Sequence, residues 1–222
     1  MRHFHILSIK IIMKKIELVT AHISQLLAES IQFWIARGDF GDAVVNLQNE
    51  QDTRRQTIEY GYSYHAMVKD PQAEPTDIPV ILQSLYWAAI ATLQESSDEE
   101  LNLSTDFNNC IISIFGPGDK LRPHVDVDET RTHTSKGDPV HFYYDKDVVG
   151  IIIKADPKGK LYLVDQREEE EENPDAVYLP EEDGFVYLMT GESRFVPYAH
   201  GVSEVTDQRI SITFRTMHKR FG

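Results

Sequence analysis

Residues 209–215 read RISITFR, and their alternation decides what kind of fold the chain makes. In an extended strand, side chains two positions apart share a face. Ile210, Ile212 and Phe214 make one face, apolar and fit to pack on a core. Arg209, Ser211, Thr213 and Arg215 make the other. Two guanidiniums framing two hydroxyls need no explanation on a wet surface. Inside a β-shell both require anionic partners, because an unpaired buried charge is very costly. A small dicarboxylate satisfies both, arginine being suited to bidentate carboxylate binding. About 20 Å of strand separates the two arginines at ~3.3 Å per residue, so their side chains must lean together to grip one ligand.

Runs of the same kind precede this one, separated by turns: CIISIF (110–115), VVGIIIKA (148–155), LYLVDQ (161–166), AVYLP (176–180) and FVYLMT (185–190). Short strands joined by turns, with no helices between them, predict an all-β sandwich or jelly roll. The N-terminal part differs. Apolar residues at Ile16, Val19, Ile23, Leu26, Leu27, Ile31 and Trp34 predict a helix over 14–37, stopped by Gly38. A second helix is predicted over 78–94, with Pro79 in its first turn. Between them, RRQTIEYGYSYHAM (54–67) reads as a strand with Ile58, Tyr60, Tyr62 and Tyr64 on one aromatic face. The expected fold is mainly β with N-terminal helices (α+β). Residues 1–50 form a helical extension and 51–222 the main domain, together one structural unit.

The 222 residues are 41% hydrophobic and 26% charged, as for an ordinary soluble domain. The formal net charge of −14 argues against tight, non-specific binding to phosphate backbones. Part of that charge is the run Glu168–Glu172, read as a solvated loop tip. No stretch approaches the ~18 consecutive apolar residues of a membrane span. The opening MRHFHILSIKIIMKK is interrupted by Lys10 and lacks a small-residue cleavage site, so it does not read as a signal peptide. Met13 is an alternative start. A single cysteine, Cys110, permits no intrachain disulfide and fits a reducing compartment: the cytoplasm, or the nucleus in a eukaryote.

PHVDVDE (123–129) sets His124 and Asp126 two apart, hence side by side on one face of a strand. Two ligands hold a metal poorly. His200, in YAHGV, supplies a third, and two histidines with one carboxylate make the facial triad of non-haem Fe(II) oxygenases. An HxD pair alone carries little weight; the arginine-bearing strand beside it adds to it. Asp128 and Glu129 read as solvated acids. The stretch 129–146 reads as an inserted loop near the site's mouth, with His133 and His141 as loop residues.

HVD (124–126), the distal His200 and RISITFR together resemble the AlkB family of Fe(II)- and 2-oxoglutarate-dependent dioxygenases, whose pattern is HxD, a later His and an Arg-x5-Arg strand. MTGESRFVPYAHGV (189–202) is similar to the corresponding stretch of AlkB homologues that modify tRNA. RRQTIEYGYSYH (54–65) resembles the segment that forms part of that family's substrate lid. The resemblance spans roughly residues 50–218. It implies a double-stranded β-helix core, Fe(II) held by His124, Asp126 and His200, and 2-oxoglutarate and O₂ as cosubstrates. Arg209 would meet the far carboxylate of 2-oxoglutarate and Arg215 the end at the metal. Ser113, Phe115 and Ser211 depart from the family: Ser113 stands for an Asn, Phe115 for a Tyr, and Ser211 where Asn is common. Ser113 still offers a hydroxyl to the cosubstrate, whereas Phe115 offers nothing.

The implied reaction couples decarboxylation of 2-oxoglutarate to succinate and CO₂ with oxidation of a C–H bond. An N-methyl group would leave as formaldehyde; another C–H would be hydroxylated. No side-chain general base is required. For a modified nucleobase in RNA or DNA, Tyr60, Tyr62 and Tyr64 offer a stacking surface. Arg54, Arg55, Arg122 and Arg194 offer phosphate contacts, Arg194 alternatively a salt bridge near the iron. The acidic balance favours instead a protein side chain or a small molecule as substrate. A non-enzymatic jelly-roll binding module is the third possibility, with no membrane partner in any of them.

Overall fold

The computed structural model describes residues 11–13, 16–50, 53–70, 72–97, 100–101, 106–126, 130–133, 139–165, 176–190 and 198–221. Its strands in chain order are β1 (Ile11–Met13), β2 (Ile16–His22), β3 (Val44–Glu50), β4 (Thr53–Gly61), β5 (Asn109–Phe115), β6 (Lys120–His124), β7 (Thr130–His133), β8 (Pro139–Lys154), β9 (Leu161–Asp165), β10 (Val177–Tyr178), β11 (Phe185–Met189), β12 (Tyr198–Val202) and β13 (Arg209–Phe221). Its helices are α1 (Gln25–Arg37), α2 (Tyr64–Lys69) and α3 (Val80–Ser96).

Strand β13 lies antiparallel between β5 and β8, with Arg209 opposite Phe115, Ser211 opposite Ser113 and Thr213 opposite Ile111. That register fixes two faces across the sheet. Ile210, Ile212 and Phe214 join Ile58, Ile112 and Ile151 in a core closed by Ile31 and Ile35 of α1 and Leu82, Leu85 and Leu93 of α3. Each such side chain contributes about 1.5–3 kcal/mol on burial. The helices therefore cover the apolar side, and the side carrying Arg209, Ser211, Thr213 and Arg215 turns inward, into the shell. The described strands form one antiparallel sheet in the order β1-β2-β11-β8-β13-β5-β4-β6-β12-β9-β10, with β3 on β4 and β7 on β8. Strand β4 bridges the two layers, pairing with β5 along most of its length and with β6 at its start. This curled, mostly antiparallel sheet with few helices is a jelly roll, as expected.

Three elements differ from expectation. The predicted 14–37 helix begins only at Gln25, with Ser24 accepting from the Leu27 N–H at 3.3 Å and Gly38 closing it in the left-handed region. Residues 16–22 form β2, whose second half, Val19–His22, pairs with β11. Ile16, Val19 and Ile23 fit helical spacing, but the alternation through Leu18 and Thr20 fits a strand as well. A free sheet edge decides between them, so the first fifty residues are not wholly helical.

The second difference is in β4. Gly61 lies in the left-handed region at φ 71°, and a Cβ there would lie 2.0 Å from the Asn108 carbonyl oxygen. The strand stops, Ser63 caps α2, and Tyr62 and Tyr64 leave the alternation. Tyr60 faces the helices, donating to the Phe40 carbonyl at 3.0 Å. The three tyrosines thus do not share a face. Third, the stretch read as an inserted loop at 129–146 contributes β7 and the start of β8, paired with each other as Thr130–Phe142 and His133–Pro139. The side chains of His133 and His141 lie outside the described residues, as do Glu168–Glu172, Asp128 and Glu129. No described helix is long and apolar enough to cross a membrane.

Asp156 ties the turn after β8 to the loop before β13. Its carboxylate accepts from the N–H groups of Lys158 (2.9 Å), Gly159 (2.6 Å), Thr206 (3.1 Å) and Asp207 (2.8 Å). Burial alone would raise its pKa, but these donors hold it well below the usual carboxylate range. Asp156→Ala should cost about 3 kcal/mol. In a chain of this size that lowers Tm by roughly 6–12 °C in a thermal melt.

Candidate metal centre

His124 ends β6 and faces His200 of β12 as a direct cross-strand pair. Their ring centroids are 4.4 Å apart. Close pairing of β12 needs Gly201, where a Cβ would lie 2.7 Å from the Leu121 carbonyl oxygen and 2.8 Å from the Tyr162 hydroxyl. Asp126, just past the end of β6, turns its carboxylate to both rings. Its Oδ1 lies 3.9 Å from Nε2 of His124 and 3.9 Å from Nε2 of His200. Both distances are too long for hydrogen bonds. Donors about 2.0–2.2 Å from one ion can stand up to ~4.2 Å apart, so the arrangement has room for a cation among the three. His124, Asp126 and His200 form the one such candidate cluster among the described residues.

Electrostatics suit the same role. Burial pushes His200 down to about 3 against the opposing pull of Asp126, and lowers His124 as well. Both imidazoles are therefore neutral at pH 7, the form that binds metal. Two neutral nitrogens and one carboxylate fit a divalent first-row ion with positions left open.

The inward face of β13 adjoins this cluster. Arg215 donates from Nε to Asp126 Oδ2 at 3.3 Å and from Nη1 to Thr213 Oγ1 at 2.6 Å. Burial works to lower its pKa, but Asp126, Tyr144 and Tyr187 together outweigh it and the guanidinium is raised. Arg209, 1% exposed, meets Glu181 through two contacts, Nε to Oε2 at 2.9 Å and Nη2 to Oε1 at 2.6 Å. Its Nη1 donates to Ser211 at 3.0 Å. Here too burial would lower the pKa, and Glu181 raises it instead.

One pocket brings together His124, Asp126, His200, Arg209, Arg215, Ser113 and Ser211. Of the expected substrate residues, Tyr64 lines it, whereas Tyr60 and Tyr62 do not. Tyr60 is committed to the helix-covered core, and Tyr62 packs beside Met67 and Met217. Arg194 lies outside the described residues. Arg54 is held by Asp119 and the Pro117 carbonyl, away from the pocket. Arg122 is exposed and Arg55 lines the pocket.

Several groups lining the pocket or holding its side chains escaped the sequence reading. Glu181 sat in EEDG, which looks like any acidic turn. Glu59, fully buried, accepts from Ser63 at 2.6 Å and pairs with His65 Nδ1. Burial would raise Glu59, but His65 and Ser63 hold it low. The period-2 rule carried the needed signal: with Ile58 and Tyr60 on the core face, Arg55, Thr57 and Glu59 must face inward. Tyr144 and Tyr187 complete the walls. Gly150 makes room for the Tyr187 ring, which an added Cβ would meet at 2.0 Å.

Residues 13–215 match the family model described as the 2OG-Fe(II) oxygenase superfamily, and the chain belongs to it. The superfamily's reagents are Fe(II), 2-oxoglutarate and O₂. Similar solved structures include a prolyl-4-hydroxylase from Pseudomonas putida, at 16% identity and TM-score 0.52, covering 90% of this chain and 92% of that one. OsALKBH1 aligns at 18% identity and TM-score 0.54, over 90% of this chain and 97% of its own. A prolyl hydroxylase from Trichoplax adhaerens, solved with a hypoxia inducible factor peptide, aligns at 12% identity and TM-score 0.55, over 89% and 82%. At these identities the likeness speaks for the fold. No curated protein sequence matches the chain.

Adding Mn(II) or Fe(II) without oxygen should raise the Tm of the wild type, and Asp126→Ala or His200→Ala should abolish the rise. Acid stability follows from His200. Its folded-state pKa is depressed to about 3 from 6.5, so between those values the unfolded chain binds a proton that the folded chain does not. The metal-free protein should therefore lose stability as pH falls from 6.5 toward 3, and His200→Ala should flatten that part of the urea-stability profile.

Proposed function

We propose that this 2OG-Fe(II) oxygenase holds its iron at His124, Asp126 and His200 and its 2-oxoglutarate between that ion and Arg209, and that it oxidises a C–H bond of an alkylated or modified nucleobase. The observation that carries the chemistry is a single pocket in which the His–Asp–His cluster faces the cationic side of β13. When bound, iron would bring together O₂ as the oxidant and 2-oxoglutarate as the donor of two of its four electrons, and the side chains do the positioning.

Arg215 fixes the Asp126 carboxylate through Oδ2, leaving Oδ1 toward the imidazoles. Glu181 locks Arg209 in one rotamer and balances its charge, leaving N–H groups for a ligand carboxylate. Ser211, directly across from Ser113, adds a second hydroxyl at the same place. Leu161, Val202, Met189 and Val148 add apolar surface to the pocket wall.

The substrate reading rests on the other end. Tyr64 and Tyr144 present aromatic rings beside Glu59 and His65, which offer hydrogen bonds. A flat heterocycle needs such a combination of stacking faces and polar edge. On an N-methyl group, hydroxylation would release formaldehyde and the free amine. The similarity of MTGESRFVPYAHGV (189–202) to tRNA-modifying AlkB homologues supports the same substrate class. A second reading, the same oxidation of a protein side chain or small molecule, is favoured by the net charge of −14.

Succinate should form from 2-oxoglutarate with Fe(II) and O₂, rising several-fold with the right substrate. Asp126→Ala should abolish it. Methylated single-stranded oligonucleotides should stimulate turnover and bind more weakly as salt rises. Stimulation by peptides or small molecules alone, with no oligonucleotide binding at low salt, would move the assignment to the second reading.

A further inference from the structure

Three guanidiniums line the pocket, and one of them has no carboxylate of its own. Arg209 holds Glu181 and Arg215 holds Asp126. Arg55 donates from Nε to Gln48 Oε1 at 2.7 Å and from Nη1 to Ser113 Oγ at 3.2 Å, both neutral oxygens. Among the described residues no carboxylate is in hydrogen-bond contact with it. The nearby Glu59 carboxylate is engaged by His65 and Ser63. Burial, with the Arg215 charge adding to it, pushes Arg55 down to about 10.

Its position is specific. Gln56 pairs with Ile114 and Phe115 with Arg209, so Arg55, Phe115 and Arg209 lie abreast on three neighbouring strands. Both guanidinium carbons sit over the Phe115 ring, Arg55 at 6.0 Å and Arg209 at 5.6 Å from its centroid. Arg55 bonds Ser113, Arg209 bonds Ser211, and those serines are directly paired across the strands. Arg55 thus faces Arg209 across one ring and also feels Arg215, the stronger of the two repulsions, in a buried site where low dielectric strengthens both. An anion gripped by Arg55 and Arg209 relieves the repulsion.

We propose that Arg55 is a cosubstrate-binding residue that joins Arg209 in clasping the carboxylate of 2-oxoglutarate remote from the iron. This rests on the cosubstrate reading above. Ser113 keeps its own proton to donate to the same carboxylate while accepting from Arg55.

The test is calorimetric titration of 2-oxoglutarate, under argon, into Mn(II)-loaded wild type, Arg55→Gln and Arg55→Lys. The wild type should bind. Arg55→Gln should weaken Kd by about 10- to 100-fold, the loss of charge-assisted hydrogen bonds. Arg55→Lys, which keeps the charge and the stem but not the fork, should fall between. Mn(II) affinity should be unchanged in all three. Equal 2-oxoglutarate binding by wild type and both variants overturns the proposal alone. So does an unchanged Kd with a raised KM for the oxidised substrate, which would assign Arg55 to a substrate anion. If the wild type binds Mn(II) but not 2-oxoglutarate, the cosubstrate reading fails and this inference with it. Should Arg55→Gln not fold, Arg55→Lys decides.

Discussion

A guanidinium that is 1% exposed inside a β-shell needs a counter-charge, and Glu181 supplies it with two oxygens to Arg209. Removing one partner of such a pair costs about 3–5 kcal/mol, because the other charge is left buried and alone. Glu181 also accepts from the Leu161 N–H at 3.1 Å, so the pair ties β13 to the β9 layer as well as satisfying itself. With this end of β13 neutralised, its polar face can turn inward and its apolar face can pack beneath the helices. The inward direction of Ser113, Arg55 and Glu59 on the neighbouring strands follows from that orientation.

Strand periodicity then distributes the chemistry. One row of β13 presents Arg209, Ser211, Thr213 and Arg215; the inward rows of β5 and β4 add Ser113, Arg55 and Glu59. The opposite layer contributes His124 and His200 as a cross-strand pair. Arg215 joins the two halves by its contact with Asp126. The site is therefore a set of ion pairs across the two layers of a jelly roll, with a metal-sized gap at one point and cationic donors at another. An Fe(II)- and 2-oxoglutarate-dependent oxidation needs both, and the superfamily membership supplies the reagents.

How much of this was legible depended on whether a pattern was local. The faces of RISITFR could be read from alternation alone, and so could most of the strands from 110 onward. The His–x–Asp spacing and a later His were visible, but their convergence depends on the pairing of β6 with β12, which no local rule supplies. Residues 16–22 fit helix and strand spacing alike, and the edge of β11 decided between them. In β4 the tyrosines suggested a functional face, yet Gly61 breaks the alternation after Tyr60 and the chemistry lies on the other side, at Arg55 and Glu59. Glu181 was invisible because an acidic turn carries no mark of which carboxylate will point inward. The acidic composition and the pocket's aromatic rim point to different substrate classes.

The most direct measurement is anomalous diffraction from crystals grown without oxygen in Mn(II) and 2-oxoglutarate. The account predicts one strong manganese peak bounded by His124, Asp126 and His200, with the dicarboxylate reaching from it to Arg209. A peak elsewhere, or a dicarboxylate bound outside the inward face of β13, would contradict it.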